Sequence, residues 1–550
     1  LILFIRLLSV RWMYDYTLTF HLVMAAYSSW LAIPVLTGAQ PVTMLAFTGG
    51  VAGLPIFTID PLSAFFILLT NFTLLTGLLY ARDYLAPYRS RKSGAPMALH
   101  LFAYTWLYLS MLAVLTLREG TAFLIAWELM GLSSFLLILF EGEVRITLKT
   151  AVNYLIQMHI GLVMILLGFL MAENTTGLFG FEGIALHFAT HPNLPLFLIL
   201  FAGFSFKAGF IPFHTWLPLA HPAAPSHVSG VMSGVMIKMG IFGIFRVLIS
   251  LGSHQTIIGI ILLTVASITG IYGILQATTH QDLKKMLACS TIENIGIIGM
   301  GMGVGTIGLG TGNLPVTILG FSGSLLHTLN HSFFKSLLFY GAGAVYHATH
   351  TRNMDMLGGL IKFMPRTATL FLVGSLAICA LPPLNGFISE VLIYYGLFAG
   401  LQSGSFYITL LMMLGIIALA VIGGLAIFSF TRTFGTVFLG SPRSIYPEGT
   451  LRDHTGMVIP MSLILIPVLL IGLAPVWFIP WILPFTGKLL SIDTTPVIAP
   501  LGEALTRISL IGGVLVFLII ALLLIRKWAG VERKTGKGPV WGCGYTASGP

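Results

Sequence analysis

Three lysines stand inside stretches apolar enough to cross a bilayer: Lys207 in FSFKAGFIPFHTW, Lys238 in GVMSGVMIKMGIFG and Lys335 in LLHTLNHSFFKSLLF. A lysine at the centre of a spanning helix costs roughly 2.5 to 3.5 kcal/mol on insertion scales, so a chain carrying three is expected to use them on ions or protons. His327, His331 and Lys335 fall at i, i+4 and i+8, on one helix face that drifts by roughly 40° per step. Histidine titrates near neutrality and passes protons between its two nitrogens, and burial brings a lysine toward the same range, so the stripe suits a proton wire. Two histidines at this spacing are also a pattern for a metal or haem iron, which the nearby ammonium disfavours.

Glu128, in AWELMGLSSF, lies in the middle of its apolar stretch, where a carboxyl group is either protonated or paired with a cation. Lys207 is the candidate partner, and a purely structural ion pair would have the same sequence. Lys238 follows a small-residue face, Ser229, Gly230, Ser233 and Gly234, that admits close helix packing. His214, His221 and His227 in HTWLPLAHPAAPSH are candidates for a proton access route. Glu293, in CSTIENIG, reads as a surface partner of Lys284 or Lys285, and Asp60, followed by Pro61, reads as a helix cap.

The elements that must position these groups are membrane helices. The 550 residues are 56% hydrophobic and only 8% charged, with a mean hydropathy of +0.95, which excludes an ordinary soluble domain. Apolar runs of about 20 residues predict about fourteen spans, near 12–36, 61–81, 97–117, 121–140, 148–171, 195–217, 226–250, 256–276, 287–308, 315–344, 367–396, 406–430, 457–478 and 508–526. Such runs exclude a β-barrel, leaving an all-α polytopic bundle with sizeable loops at 37–60, 172–194 and 479–506. Most of the 28 lysines and arginines then fall on one side, so the net charge of +10 reads as membrane orientation with both termini cytoplasmic, and not as nucleic-acid binding. Cys289, Cys379 and Cys543 are isolated, which argues against an iron–sulfur cluster or structural zinc, and no cofactor or metal is expected in this chain. The start at Leu1 lacks Met, and the apolar first ten residues carry no small-residue cleavage site, so no signal peptide and an incomplete start are expected.

Two spans carry proline in mid-course, Pro212 in KAGFIPFH and Pro382–Pro383 in ALPPLNGFISE, with Lys207 and Glu390 beside the breaks. They are five helices apart, an odd number, so the two halves are expected to be inverted five-helix repeats with broken helices, as in ion-coupled transporters. The expected division is 1–96, 97–250 for the first repeat, 251–440 for the second, and 441–550 for the remaining helices and a cytoplasmic tail.

At these residues the chain resembles the antiporter-like subunits shared by respiratory complex I, multi-subunit sodium/proton antiporters and membrane-bound group 4 nickel–iron hydrogenases. The resemblance covers roughly residues 60–440. KAGFIPFHTWLPLAHPAAPSHVSGVMSGVMIK, DLKKMLACSTIENIGIIGMG, HTLNHSFFKSLLFYGAGAVYH, LPPLNGFISE and the late PVWGCGY are most like the hydrogenase-4 component B and formate hydrogenlyase subunit 3 branch. That resemblance implies a proton-translocating, non-catalytic subunit of the inner membrane of a prokaryote. It also implies a switchable Glu128–Lys207 pair, and a path through Lys238, His327, His331 and Lys335 to Glu390. The implied partners are other antiporter-like and anchor subunits and a peripheral cytoplasmic module holding the nickel–iron centre and iron–sulfur clusters, with or without a formate dehydrogenase. Protons or Na+ are the implied cargo, and a complex I or Mrp-type antiporter subunit is the alternative. Relatives of the hydrogenase type continue beyond the CGY motif, so the resemblance implies an incomplete or shorter chain. Some formate hydrogenlyase relatives lack a lysine at the position of Lys207, so its presence favours the hydrogenase-4 side.

Overall fold

The computed structural model describes residues 10–45, 56–89, 92, 94–141, 145–444, 446 and 451–529; the Leu1 start, Cys543 and the PVWGCGY motif lie outside them. The chain runs through α1 (Val10–Thr37), an antiparallel hairpin of β1 (Val42–Leu45) and β2 (Ile56–Ile59), then α2 (Pro61–Tyr84), α3 (Gly94–Thr116), α4 (Gly120–Ile138), α5 (Arg145–Thr176) and α6 (Phe181–Thr190). Next come α7 (Asn193–Ala208), α8 (Leu217–Ala223), α9 (Ser226–Val231), α10 (Lys238–Leu248), α11 (Gln255–Thr279), α12 (Leu283–Thr311) and α13 (Leu314–Thr349). The rest is α14 (Pro365–Ile378), α15 (Asn385–Gly400), α16 (Phe406–Phe438), α17 (Thr455–Leu473), α18 (Pro475–Leu490) and α19 (Thr495–Trp528).

Among the described residues, eleven helical segments are long and apolar enough to cross a membrane, all at expected positions. The other three expected spans fall on the polar α13 and on the interrupted pairs α7–α8 and α14–α15. Three loop expectations need correction. Residues 37–60 hold the hairpin, 172–194 hold α6, and 479–506 hold most of α18 and the start of α19. α18 starts with Pro475 in its first turn, where the missing N–H has no partner to lose, and carries Pro480 and Pro484 within it.

Helix ends are fixed by the local sequence. The Asp60 side chain accepts the Ser63 amide at 2.8 Å with Pro61 in the first turn, Asp282 accepts the Lys285 amide at 3.0 Å, and Asn313 caps α13 through Val316. Arg118 and Arg246 close on the same Asp60 carboxylate. α12 and α13 are buried along most of their length and form the middle of the bundle, tied to α2 by a Tyr80 hydroxyl donating to Tyr340 O at 2.7 Å. α11 and α12 approach until a Cβ on Gly296 would sit 2.3 Å from Gly270 N, so the contact requires glycine.

Candidate functional site

The first broken helix sets Lys207. α7 stops at Gly209, which is left-handed (φ 89°) and bonds back to Ser205 O, and a Cβ there would lie 2.2 Å from Leu217. Lys207 therefore occupies the last turn of a half-helix, whose unpaired carbonyls favour a cation. The freed backbone groups find partners: Trp216 Nε1 donates to Phe206 O at 2.8 Å, and the Ile211 amide donates to Thr269 Oγ1 at 3.2 Å. The buried ammonium has no hydrogen-bond partner among the described residues and lies 5.5 Å from the Trp127 ring centre and 5.8 Å from that of Tyr154.

Here the structure corrects a direct Glu128–Lys207 pair. Aromatic rings occupy the space around the ammonium, and Glu128 Oε1 instead lies 3.0 Å from His159 Nε2, on the partly exposed side of α4 and α5. Lys207 remains within its electrostatic reach. His159 Nδ1 is 2.8 Å from Leu155 O, and a carbonyl only accepts, so that nitrogen carries a proton. A hydrogen bond from Nε2 to Glu128 then needs one further proton, held either on the imidazole or on the carboxyl group. The contact is therefore closed when one proton is added to the two groups together.

Lys238 is set by a second irregularity. Residues Met232–Met236 form a π-helical turn between α9 and α10, and Lys238 donates to the Ser233 carbonyl of that turn. Its ammonium also lies 2.5 Å from His331 Nδ1. When Lys238 is charged its ammonium only donates, so Nδ1 then accepts and the neutral ring carries its proton on Nε2, an atom without a protein partner among the described residues. A proton passed from Lys238 to Nδ1 thus releases one from Nε2. One turn back on α13, His327 Nε2 faces Asn294 Oδ1 at 3.1 Å and Nδ1 faces Ser389 Oγ at 3.0 Å. One turn on, Lys335 donates to Leu287 O at 2.9 Å and to Ser290 Oγ at 2.5 Å. The spacing i, i+4, i+8 has become a buried polar file, with the ring nitrogens of His327 held by neutral side chains.

Glu293 is corrected as well. It is not at the surface with Lys284 or Lys285: it is fully buried, both oxygens lack a protein partner among the described residues, and its electrostatic neighbours are Lys335 and Glu390. Lys284 instead donates to Ala224 O at 2.8 Å. Glu390 follows Ser389 on α15, just after the second break, where a Cβ on Gly386 would be 2.0 Å from Ala377 O. Glu293 is thus an electrostatic neighbour of both Lys335 and Glu390.

The three access histidines separate. His221 is fully buried on α8, stacks 5.0 Å from Phe339, and lies in the field of Lys335, Lys284 and Lys238. His227 Nε2 is 2.8 Å from His100 Nε2. His214 stays apart, packed edge-on against Tyr272. Outside α8, the basic end of the bundle has a cavity of about 600 Å³ lined by Glu141, Asp282, Lys285, His350 and Arg352. His159, His100 and Asn294 are the neighbouring polar groups that sequence reasoning missed. Each is a polar residue inside an apolar run, a signal present but not weighed. Among the described residues, no three His, Cys, Asp or Glu side chains converge as a metal site.

Residues 119–418 match the family described as NADH:quinone oxidoreductase/Mrp antiporter, TM. Hydrogenase-4 component B of Escherichia coli (strain K12) is 36% identical over 88% of this chain and 73% of its own length. Formate hydrogenlyase subunit 3 of the same strain is 35% identical over 64% of this chain and 56% of its own. The fold of a chain of the Mrp complex from Dietzia sp. DQ12-45-1b superposes with a TM-score of 0.73 over 90% of this chain and 95% of that one, at 19% identity. An interrupted pair of helices around buried lysines, a polar α13 and these matches agree, and the chain belongs to the NADH:quinone oxidoreductase/Mrp antiporter membrane family.

Proposed function

We propose that this chain is the proton-translocating, non-catalytic subunit of an energy-converting complex of the hydrogenase-4 or formate hydrogenlyase type. The observation that carries the reading is the Lys238–His331 contact at 2.5 Å, inside a file of Lys, His and Glu that runs between the two broken helices. Lys238 and Lys335 are buried electrostatic neighbours of like charge, so charging one raises the cost of charging the other. A proton arriving on the Glu128–His159 pair changes the field at Lys207. The displaced charge moves along Lys238, His331 and Lys335 and leaves through Glu293 and Glu390. A redox module in partner subunits supplies the initial change, and its nickel–iron centre and iron–sulfur clusters lie in those subunits. The identities to hydrogenase-4 component B and formate hydrogenlyase subunit 3 support this kind of complex. The basic end is read as cytoplasmic on the positive-inside rule.

Gentle solubilisation of native membranes and isolation through this chain test the assignment. Nickel, iron–sulfur clusters and dye-driven hydrogen evolution in the eluate are the expected result. Quinone-reductase or sodium/proton exchange activity without nickel would move the chain to the sister branches.

A further inference from the structure

A second set of rings at the basic end plays no part in the file above. His454, the cap residue of α17, lies 4.7 Å from His347 of α13, centre to centre and edge-on. His347 is 6.3 Å from Tyr84 of α2, Tyr84 is 5.7 Å from His227 of α9, and His227 is 5.0 Å from His100 of α3. Five elements thus bring four imidazoles and a phenol into one succession of neighbouring rings, from the part-exposed His454 and His347 to the buried Tyr84, His227 and His100. Packing alone does not explain it. Both nitrogens of His347 and the Nδ1 atoms of His227 and His100 are buried with no protein partner among the described residues, each an unpaid desolvation cost if left dry. Apolar side chains of the same size would avoid that cost; imidazoles bridged by water remove it and gain a way to carry protons.

We infer that His454, His347, Tyr84 and His227 form a proton inlet from the basic end to the buried lysines. The inference rests on the proton-translocating reading and supplies its uptake route. His454 takes a proton from water. Each imidazole accepts on one nitrogen and releases from the other, and the Tyr84 oxygen accepts one proton as its own departs, so every group keeps its proton count and each imidazole, left in the opposite tautomer, resets before the next transfer. Beyond His227, whose Nε2 shares a proton with His100, the neighbouring charge is Lys284; His221 next to it faces Lys335 and Lys238. The charged and titratable groups around the inlet are Asp83, His350, Arg452 and Asp453 near the two outer histidines, and Glu141 and Tyr346 near Tyr84. Asp83 is the one acid in reach of both outer histidines from α2, which suits the mouth of a cation route.

The test uses the whole complex in proteoliposomes, with proton movement and dye-linked hydrogen evolution measured together. His347→Phe keeps the ring volume and is expected to lower protons moved per hydrogen by about tenfold or more while dye-linked turnover stays at the wild-type level. His347→Ala is expected to lose proton movement and to regain it with rising imidazole concentration, which a packing role would not give. His454→Phe, at the surface, serves where the His347 variants do not assemble, with the same expected loss. Wild-type proton movement in His347→Phe or His454→Phe, or no recovery with imidazole in an assembled His347→Ala complex, overturns the inlet while leaving the translocation reading intact. Absence of proton movement in the wild-type complex overturns both.

Discussion

Replacing Asp60 by asparagine should cost about 3 to 5 kcal/mol of stability, the penalty for leaving buried cations without their anion. Asp60 accepts from Arg118 at 2.6 Å, from both terminal nitrogens of Arg246, and from the Ser63 amide at 2.8 Å. The arginine side chains are only 14% and 7% exposed, so water screens them little. At an effective dielectric of about 20, a unit pair about 4 Å apart is worth roughly 4 kcal/mol, and Asp60 holds two. Desolvation of three charges consumes part of that gross gain. Its loss would leave Arg118 and Arg246 repelling each other. Asparagine keeps the helix cap, so Asp60→Asn isolates the charge, and Asp60→Ala should add about 1 kcal/mol for the cap. The assay is the midpoint of SDS-induced unfolding in mixed micelles, followed by helical signal. Burial alone would raise this carboxyl group, but Arg246 and then Arg118 outweigh it and hold it well below the usual 3.8. The folded value is thus the lower one: the contribution is complete above 3.8 and is lost only as the pH falls through the depressed value. Asp60 should therefore cause no loss between pH 7 and about pH 5. A cost below about 1 kcal/mol for Asp60→Asn would refute the reasoning.

Three further outcomes are expected. Glu293→Gln, which preserves shape, should cut redox-driven proton movement by about tenfold or more with dye-linked turnover intact; near-normal movement would return Glu293 to a structural role. His159→Phe should impair proton movement to a similar degree by removing the shared proton at Glu128, as read by acidification in vesicles, and an unaffected rate would dismiss that site. Gly296→Leu should push α11 from α12 and cost about 1 to 3 kcal/mol or prevent assembly, and a wild-type unfolding midpoint would contradict the packing derived for that contact.

Much of the fold was legible because length and apolarity suffice to identify membrane helices, and the two proline breaks fell where Pro212, Pro382 and Pro383 placed them. The stripe of His327, His331 and Lys335 was equally legible, since helical spacing alone puts them on one face. Partners were not. Nothing in the spacing told that Glu128 would meet His159, because that depends on how α4 and α5 rotate against each other. The π-helical turn before Lys238 was invisible too, since Met232–Met236 has no proline to announce it. Glu293 was misplaced because a residue near two lysines in sequence reads as their partner, whereas α12 turns it inward toward α13 and α15. The hairpin and α18 were lost in segments where short strands and proline-bearing helices resemble loops.

The most direct measurement is the number of protons moved per hydrogen formed by the intact complex in sealed proteoliposomes, wild type against Lys238→Met. Methionine keeps the length and burial of the side chain but cannot donate to His331. The proposed function predicts outward proton movement in the wild type, and in Lys238→Met a loss of that movement with dye-linked hydrogen evolution unchanged. Equal proton movement in both would contradict a path through Lys238 and His331.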